Sequence, residues 1–163
     1  MFTNQNNKNK HNYFMSLAFD QAKRNLGNTR KNPSVGCVIT NGTNLFGAGF
    51  TSINGRPHAE YNAIKNSIES LDRSKMYVSL EPCNHYGQTP PCTKKIIRNK
   101  ISEVIYSIED IDKKVKGKSL KILKAQNINV KKGLLEKEIR NFYDPYFFNR
   151  KNNRPYVTGK IAI

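Results

Sequence analysis

The chain is 163 residues long and carries 28 Lys and Arg against 12 Asp and Glu, a formal net charge of +16. That length predicts one domain that buries a core without cross-links, and no apolar run approaches the ~20 residues of a membrane-spanning helix. The odd count of three cysteines argues against a disulfide framework, and the Asn/Lys-rich start lacks the apolar stretch of a secretory signal, so a soluble, cytoplasmic protein is expected.

Residues 1–10 read as a flexible polar tail. From Asn12 to Leu26 the apolar residues Phe14, Leu17, Ala18, Ala22 and Leu26 recur at helical spacing, and Gly27 follows as a stop. Val35 to Thr40 is a β-branched run, Asn41-Gly42 a hairpin turn, and Leu45 to Thr51 the returning strand. Gly47 and Gly49 within that strand predict a close backbone approach or a bulge. After a turn at Asn54-Gly55, a helix is expected from His58 to Ser70 with Ala59, Ala63, Ile64 and Ile68 facing inward. Met76 to Leu80 reads as a buried strand, followed by a proline-braced loop from Glu81 to Pro91 and a helix from Cys92 to Asn99. Val104 to Ile108 is a strand, Gly117 to Gln126 a helix with Leu120, Leu123 and Ile122 as inward candidates, and Ile128 to Val130 a strand. Leu134 to Phe142 is helical, and Pro155 to Ile163 reads as extended.

Strands alternating with helices predict an α/β protein whose sheet is covered on both faces, and the opening hairpin makes that sheet mixed. The lysines are dispersed rather than gathered in a block, so the charge reads first as compositional drift. A surface this basic would still attract anions, phosphorylated substrates and nucleic acids among them.

The chemistry concentrates in His58-Ala59-Glu60 and in Glu81-Pro82-Cys83-Asn84-His85-Tyr86-Gly87-Gln88-Thr89-Pro90-Pro91-Cys92. One imidazole and two thiols suit a zinc ion with its fourth position open, the pattern of a hydrolytic rather than a structural site. His58 and Cys92 fall at helix starts, where free N–H groups favour the thiolate that zinc needs. Glu60 is placed to take a proton from an activated water and hand protons to the substrate, the work of a single buried carboxylate. Each residue alone has an ordinary explanation: a satisfied histidine, a small core cysteine, an exposed helical carboxylate. The combination, flanked by prolines, is what points to chemistry. Cys37, inside Val35-Gly36-Cys37-Val38-Ile39, belongs to the core. His85 fits a substrate-contacting or loop-bracing role better than that of a fourth ligand, which would evict the water.

His-Ala-Glu followed by Pro-Cys resembles the signature of the cytidine-deaminase-like zinc hydrolases. The long loop from Glu81 to Cys92, with eight residues between its cysteines, is similar to that of the riboflavin-biosynthesis pyrimidine deaminases. Asn32-Pro33 with Val35-Gly36-Cys37-Val38 fits the early segment of that family, and Arg154-Pro155-Tyr156-Val157 with Lys160-Ile161-Ala162 looks like its linker into a second domain. The resemblance covers nearly the whole chain. It implies a three-layer α/β/α fold, one Zn2+ held by His58, Cys83 and Cys92, proton transfer by Glu60, and hydrolytic deamination of a phosphorylated ribosylaminopyrimidinone. It implies substrate contacts by Asn32 and, in the loops, by His85, Gln88, Thr89 and Asp112.

It also divides the chain into a tail (1–10), a zinc deaminase domain (11–150) and a linker or first strand (151–163) toward a reductase domain absent here. No NADPH site is therefore expected in this chain. The partners it brings are the phosphorylated pyrimidine, a homo-oligomeric copy and a separate reductase, with no membrane and no nucleic acid. Three positions depart from the pattern: Gln88 stands where Arg or Lys is usual, Thr51 where a histidine is common, and Ile111-Asp112 in place of Pro-Asn. Losing a cation and gaining a carboxylate weighs against tight phosphate binding. A nucleoside or nucleic-acid base deaminase, and an inactive deaminase-like partner of a reductase, are the competing readings.

Overall fold

The hairpin signal at Asn41-Gly42 closes as expected, with Gly42 at φ 61°. In the computed structural model, which describes residues 2–161, the hairpin strands are β1 (Gly36–Asn41) and β2 (Asn44–Phe50). Three further strands follow: β3 (Lys75–Leu80), β4 (Glu103–Ile108) and β5 (Asn129–Lys132). They form one sheet in the order β2-β1-β3-β4-β5. β1 runs antiparallel to both β2 and β3, while β3-β4 and β4-β5 are parallel. The sheet is therefore mixed, and its central parallel strands β3 and β4 are buried almost throughout, as helices on both faces require.

The helices are α1 (Phe2–Lys23), α2 (Ala59–Lys65), α3 (Cys92–Arg98), α4 (Lys118–Lys124) and α5 (Glu136–Asn152). α2 lies against β1 and β2, with α3 and α4 ranked beside it. α1 and α5 cover the opposite face, meeting through Phe19 and Phe142, whose rings stand edge to face 5.2 Å apart. This is the expected three-layer α/β/α arrangement. Gly49 shows how tightly α2 is seated: a Cβ there would lie 2.3 Å from the backbone N of Ala63. The expected irregularity is also present, as a register shift between Ile39 and Thr40 opposite this strand. Val78, Ile39, Ile96 and Ile105 are fully enclosed in the core, each contributing about 1.5–3 kcal/mol by leaving water.

Five local expectations change. α1 begins at Phe2 rather than Asn12, so the segment read as a tail is helical. Among the described side chains, packing is carried by His11, whose Nδ1 lies 2.8 Å from the Tyr77 hydroxyl, and by Phe14. The polar turns before it extend a helix already nucleated by that contact, which costs far less than starting one. α1 ends at Lys23, leaving Leu26 exposed in the turns that follow. α2 stops at Lys65, where the N–H of Asn66 closes on the Asn62 carbonyl, so Ile68 lies beyond the helix and 84% exposed instead of in the core. α5 continues ten residues past Phe142, to Asn152, running through Pro145. The predicted final strand is not formed over residues 155–161, which are irregular and exposed, and its last two positions lie outside the described residues.

Candidate active site

The three ligand candidates meet at the ends of β2 and β3. His58 caps α2, Cys92 opens α3 behind Pro91, and Cys83 sits in the loop leaving β3. Their ligand atoms all lie within 4.8 Å of one another. His58 Nδ1 is 3.5 Å from the sulfur of Cys83 and 3.5 Å from that of Cys92. A tetrahedral zinc with ordinary Zn–S and Zn–N bonds sets a sulfur and an imidazole nitrogen about 3.5 Å apart, so the donors fit that ion in both chemistry and spacing. Cys37, buried in β1, is not among them.

The Cys83 sulfur is prepared for ligation. A hydrogen bond from the Cys92 thiol is the main reason the Cys83 thiol lies well below its usual range; burial opposes it, and His58 and the backbone N–H of Cys92 add to it. That N–H, at the first position of α3, donates to Cys83 Sγ at 3.3 Å. Glu60, in the first turn of α2, is 3% exposed. Burial, and then the neighbouring Cys83, push its carboxyl up to about 6.

The loop carrying Cys83 is fixed by a residue the sequence reading left without a role. Glu81 accepts from the backbone N–H groups of Gly117 (3.0 Å) and Ser119 (3.3 Å), and the Ser119 hydroxyl donates to the Pro82 carbonyl at 2.5 Å. The start of α4 is thereby tied to the Pro82-Cys83 turn.

A cavity of about 150 Å³ opens over Glu60, His58 and Cys83. Asn32, His85, Thr89 and Asp112 line it; Gln88 is exposed and does not. Asn32 Nδ2 donates to the Gly55 carbonyl at 3.2 Å. Gly55 has φ +86°, and a Cβ there would lie 2.3 Å from Asn32 Nδ2, so only glycine fits under this side chain. His85 Nδ1 is buried and has no hydrogen-bond partner among the described residues. Thr51 is buried, its hydroxyl accepting from the N–H of Val35 at 3.0 Å, and so it staples β2 to the start of β1.

The far wall was invisible in the sequence. α5 delivers Tyr146 and Arg150 to the cavity, one helical turn apart. The Tyr146 hydroxyl donates to Asp110, at 3.3 Å to one carboxylate oxygen, and Arg150 Nη2 donates to Asp112 Oδ2 at 3.1 Å. Burial raises the Asp110 carboxyl above the usual carboxylate range. Arg56 lines the mouth, two residues before His58. Only the proximity of Arg56 to the His58 motif could have flagged it; nothing pointed to Tyr146 or Arg150.

A mixed sheet between helices, with a His-Cys-Cys donor set beside a buried glutamate, defines a zinc-dependent deaminase of the cytidine-deaminase type. The comparisons agree: the profile of the cytidine and deoxycytidylate deaminase zinc-binding region matches residues 8–108, and the chain belongs to this family. Among its relatives is the diaminohydroxyphosphoribosylamino-pyrimidine deaminase of Buchnera aphidicola from Schizaphis graminum, 38% identical over 90% of this chain and 99% of that protein. The riboflavin biosynthesis protein RibD of Chlamydia pneumoniae is 37% identical over 92% of this chain. RibD of Acinetobacter baumannii superposes with a TM-score of 0.86 at 35% identity, covering 92% of this chain and 42% of that one. The chain spans about 40% of the length of the Chlamydia protein.

Proposed function

We propose that this chain hydrolytically deaminates the diaminohydroxyphosphoribosylaminopyrimidine intermediate of riboflavin biosynthesis. The observation that carries this reading is the convergence of His58, Cys83 and Cys92 on one point beside buried Glu60, under a cavity that accommodates a small ring. The Buchnera relative of nearly the same length, named for this activity, supports the choice of substrate.

His58, Cys83 and Cys92 hold the zinc, which when bound supplies a Lewis acid that makes water acidic near neutrality. Every other task belongs to the protein. Glu60 accepts one proton of the attacking water and gives it to the ring nitrogen, then takes the second from the newly attached hydroxyl and gives it to the departing amine. Its carboxyl, raised by burial to about 6, is matched to taking and giving a proton near neutral pH. The products are the ring carbonyl and ammonia. Asn32 is held by Gly55 at the cavity wall, and the unpartnered Nδ1 of His85 is free to receive a polar group of the pyrimidine. Thr89 and Asp112 border the more open side, where the ribose phosphate leaves the ring.

On this reading residues 11–150 are the deaminase unit, with α5 carried on to Asn152, and residues 151–163 are a linker or first strand toward a reductase domain. No described helix is long and apolar enough to cross a membrane. The partners are the phosphorylated pyrimidine, a second copy of the chain and a separate reductase that takes up the product. The test is ammonia release by zinc-loaded protein from this pyrimidine, with cytidine and RNA in parallel. Turnover of the pyrimidine alone is the expected result. Turnover of cytidine or RNA instead, or of none of the three, overturns the assignment.

A further inference from the structure

Two arginines line the cavity, and they are not equivalent. Arg150 is neutralised by Asp112, 3.1 Å away. Arg56 makes no ion pair among the described residues. Its Nη1 donates to the Thr89 hydroxyl at 2.5 Å, and its Nη2 lies 3.1 Å from where a Cβ on Gly87 would be. The absent side chain at Gly87 is what lets the guanidinium lie against residues 87–89. Of the cavity's carboxylates, Glu81 is held by backbone N–H groups, Asp110 by Tyr146 and the N–H of Asp112, and buried Glu60 has the Cys92 thiol beside it. The result is an uncompensated, half-buried cation at the mouth of the site, braced by a hydroxyl, with donor capacity left over.

We propose that Arg56 anchors the phosphate of the substrate at the mouth of the cavity. This inference rests on the phosphorylated-pyrimidine reading and adds the specificity-determining residue to it. A planar guanidinium presents paired donors to a phosphomonoester, and such charge-assisted bonds are stronger than neutral ones. The paired Arg150 is withheld from that role, and the Asp112 carboxylate no longer repels the ester because Arg150 has neutralised it.

The experiment compares wild type, Arg56→Lys and Arg56→Gln on the phosphorylated pyrimidine and on its dephosphorylated riboside, with zinc content measured for each. Arg56→Gln keeps a donor for Thr89 but no charge; Arg56→Lys keeps the charge. Arg56→Gln is expected to raise KM for the phosphorylated substrate about 10- to 100-fold with kcat within about threefold. KM for the riboside stays unchanged, and Arg56→Lys recovers most of the loss. Equal losses on both substrates, or Arg56→Lys failing as badly as Arg56→Gln, mean that Arg56 only braces the loop and overturn the inference. Ribose 5-phosphate titrated calorimetrically against zinc-loaded protein separates the two levels. Binding that depends on Arg56 in a protein that does not turn over the pyrimidine discards the substrate reading and keeps the anion site. Equal binding to wild type and Arg56→Gln discards the anion site.

Discussion

At the ligand end of the cavity the donor atoms come from two helix starts and one proline-braced loop, with Cys92 34 positions after His58. At the opposite wall, Tyr146 and Arg150 come from α5, a helix held to the sheet by aromatic packing and by buried hydroxyls. The ligand end is mostly short-range chemistry: each donor sits where a cap or turn presents it, with Glu81 tying the Cys83 turn to the start of α4. The wall is tertiary: it exists because Phe142 and Tyr143 pack inward. Reactivity is thus set by short-range structure, while the shape and charge of the cavity depend on a distant helix.

Breaking the ligand end should have the largest effect. Cys83→Ala is expected to lose zinc and to lower turnover by more than about 10³-fold, with an unchanged far-ultraviolet circular dichroism spectrum. Stoichiometric zinc in Cys83→Ala would mean that the donor set is misassigned. The wall should respond in stability. Tyr143 is buried, its hydroxyl 2.6 Å from Ser79 Oγ and donating to the Ser34 carbonyl at 3.1 Å. Tyr143→Phe is expected to destabilise by about 1–2 kcal/mol in urea unfolding while zinc stays bound, since an unsatisfied buried carbonyl is left behind. Loss of zinc from this variant would join the two regions that the comparison separates.

Smaller still is the Arg150–Asp112 pair. A double-mutant cycle of Arg150→Ala and Asp112→Asn, read as kcat/KM on the phosphorylated pyrimidine, should give a coupling of about 1 kcal/mol. Additive effects would show that the two charges act separately. The least effect belongs to Glu103, at the far ends of β3 to β5, paired with Lys75 at 2.8 Å and Lys131 at 2.7 Å. Burial pushes its carboxyl up, but the hydrogen bonds and charges of Lys131 and Lys75 outweigh it, and its pKa lies below the usual value. A lowered folded-state pKa contributes stability above the unfolded pKa of about 4.3 and loses it as pH falls through the folded value. Glu103→Gln should therefore be about 0.5 kcal/mol less stable than wild type at neutral pH, with the gap closing below about pH 4. A gap that persists in acid would assign the effect to packing.

The same division explains what the amino-acid sequence disclosed. The hairpin, the buried strands and the His58, Glu60, Cys83 and Cys92 constellation follow from neighbouring residues: a turn dipeptide, β-branched runs, prolines beside cysteines. Ile68 was misplaced because its spacing from Ile64 fits a helical stripe, but the helix had already ended at Lys65. A proline inside a helix removes an N–H and crowds the preceding turn, a cost of about 3 kcal/mol, yet α5 runs through Pro145 past the expected end at Phe142. Packing of Tyr143, Tyr146 and Phe147 beyond the expected helix end offsets that cost. Arg56 gains its significance only when residues 87–89 return to it from 33 positions downstream, and no periodicity encodes such a meeting.

Glu60→Gln tests the account most directly, assayed for bound zinc and for ammonia release from the phosphorylated pyrimidine. The account predicts one zinc per chain, as in wild type, and turnover reduced by about 10²–10⁴-fold, because only the proton-transfer group has been removed. Turnover close to wild type with zinc in place would contradict it.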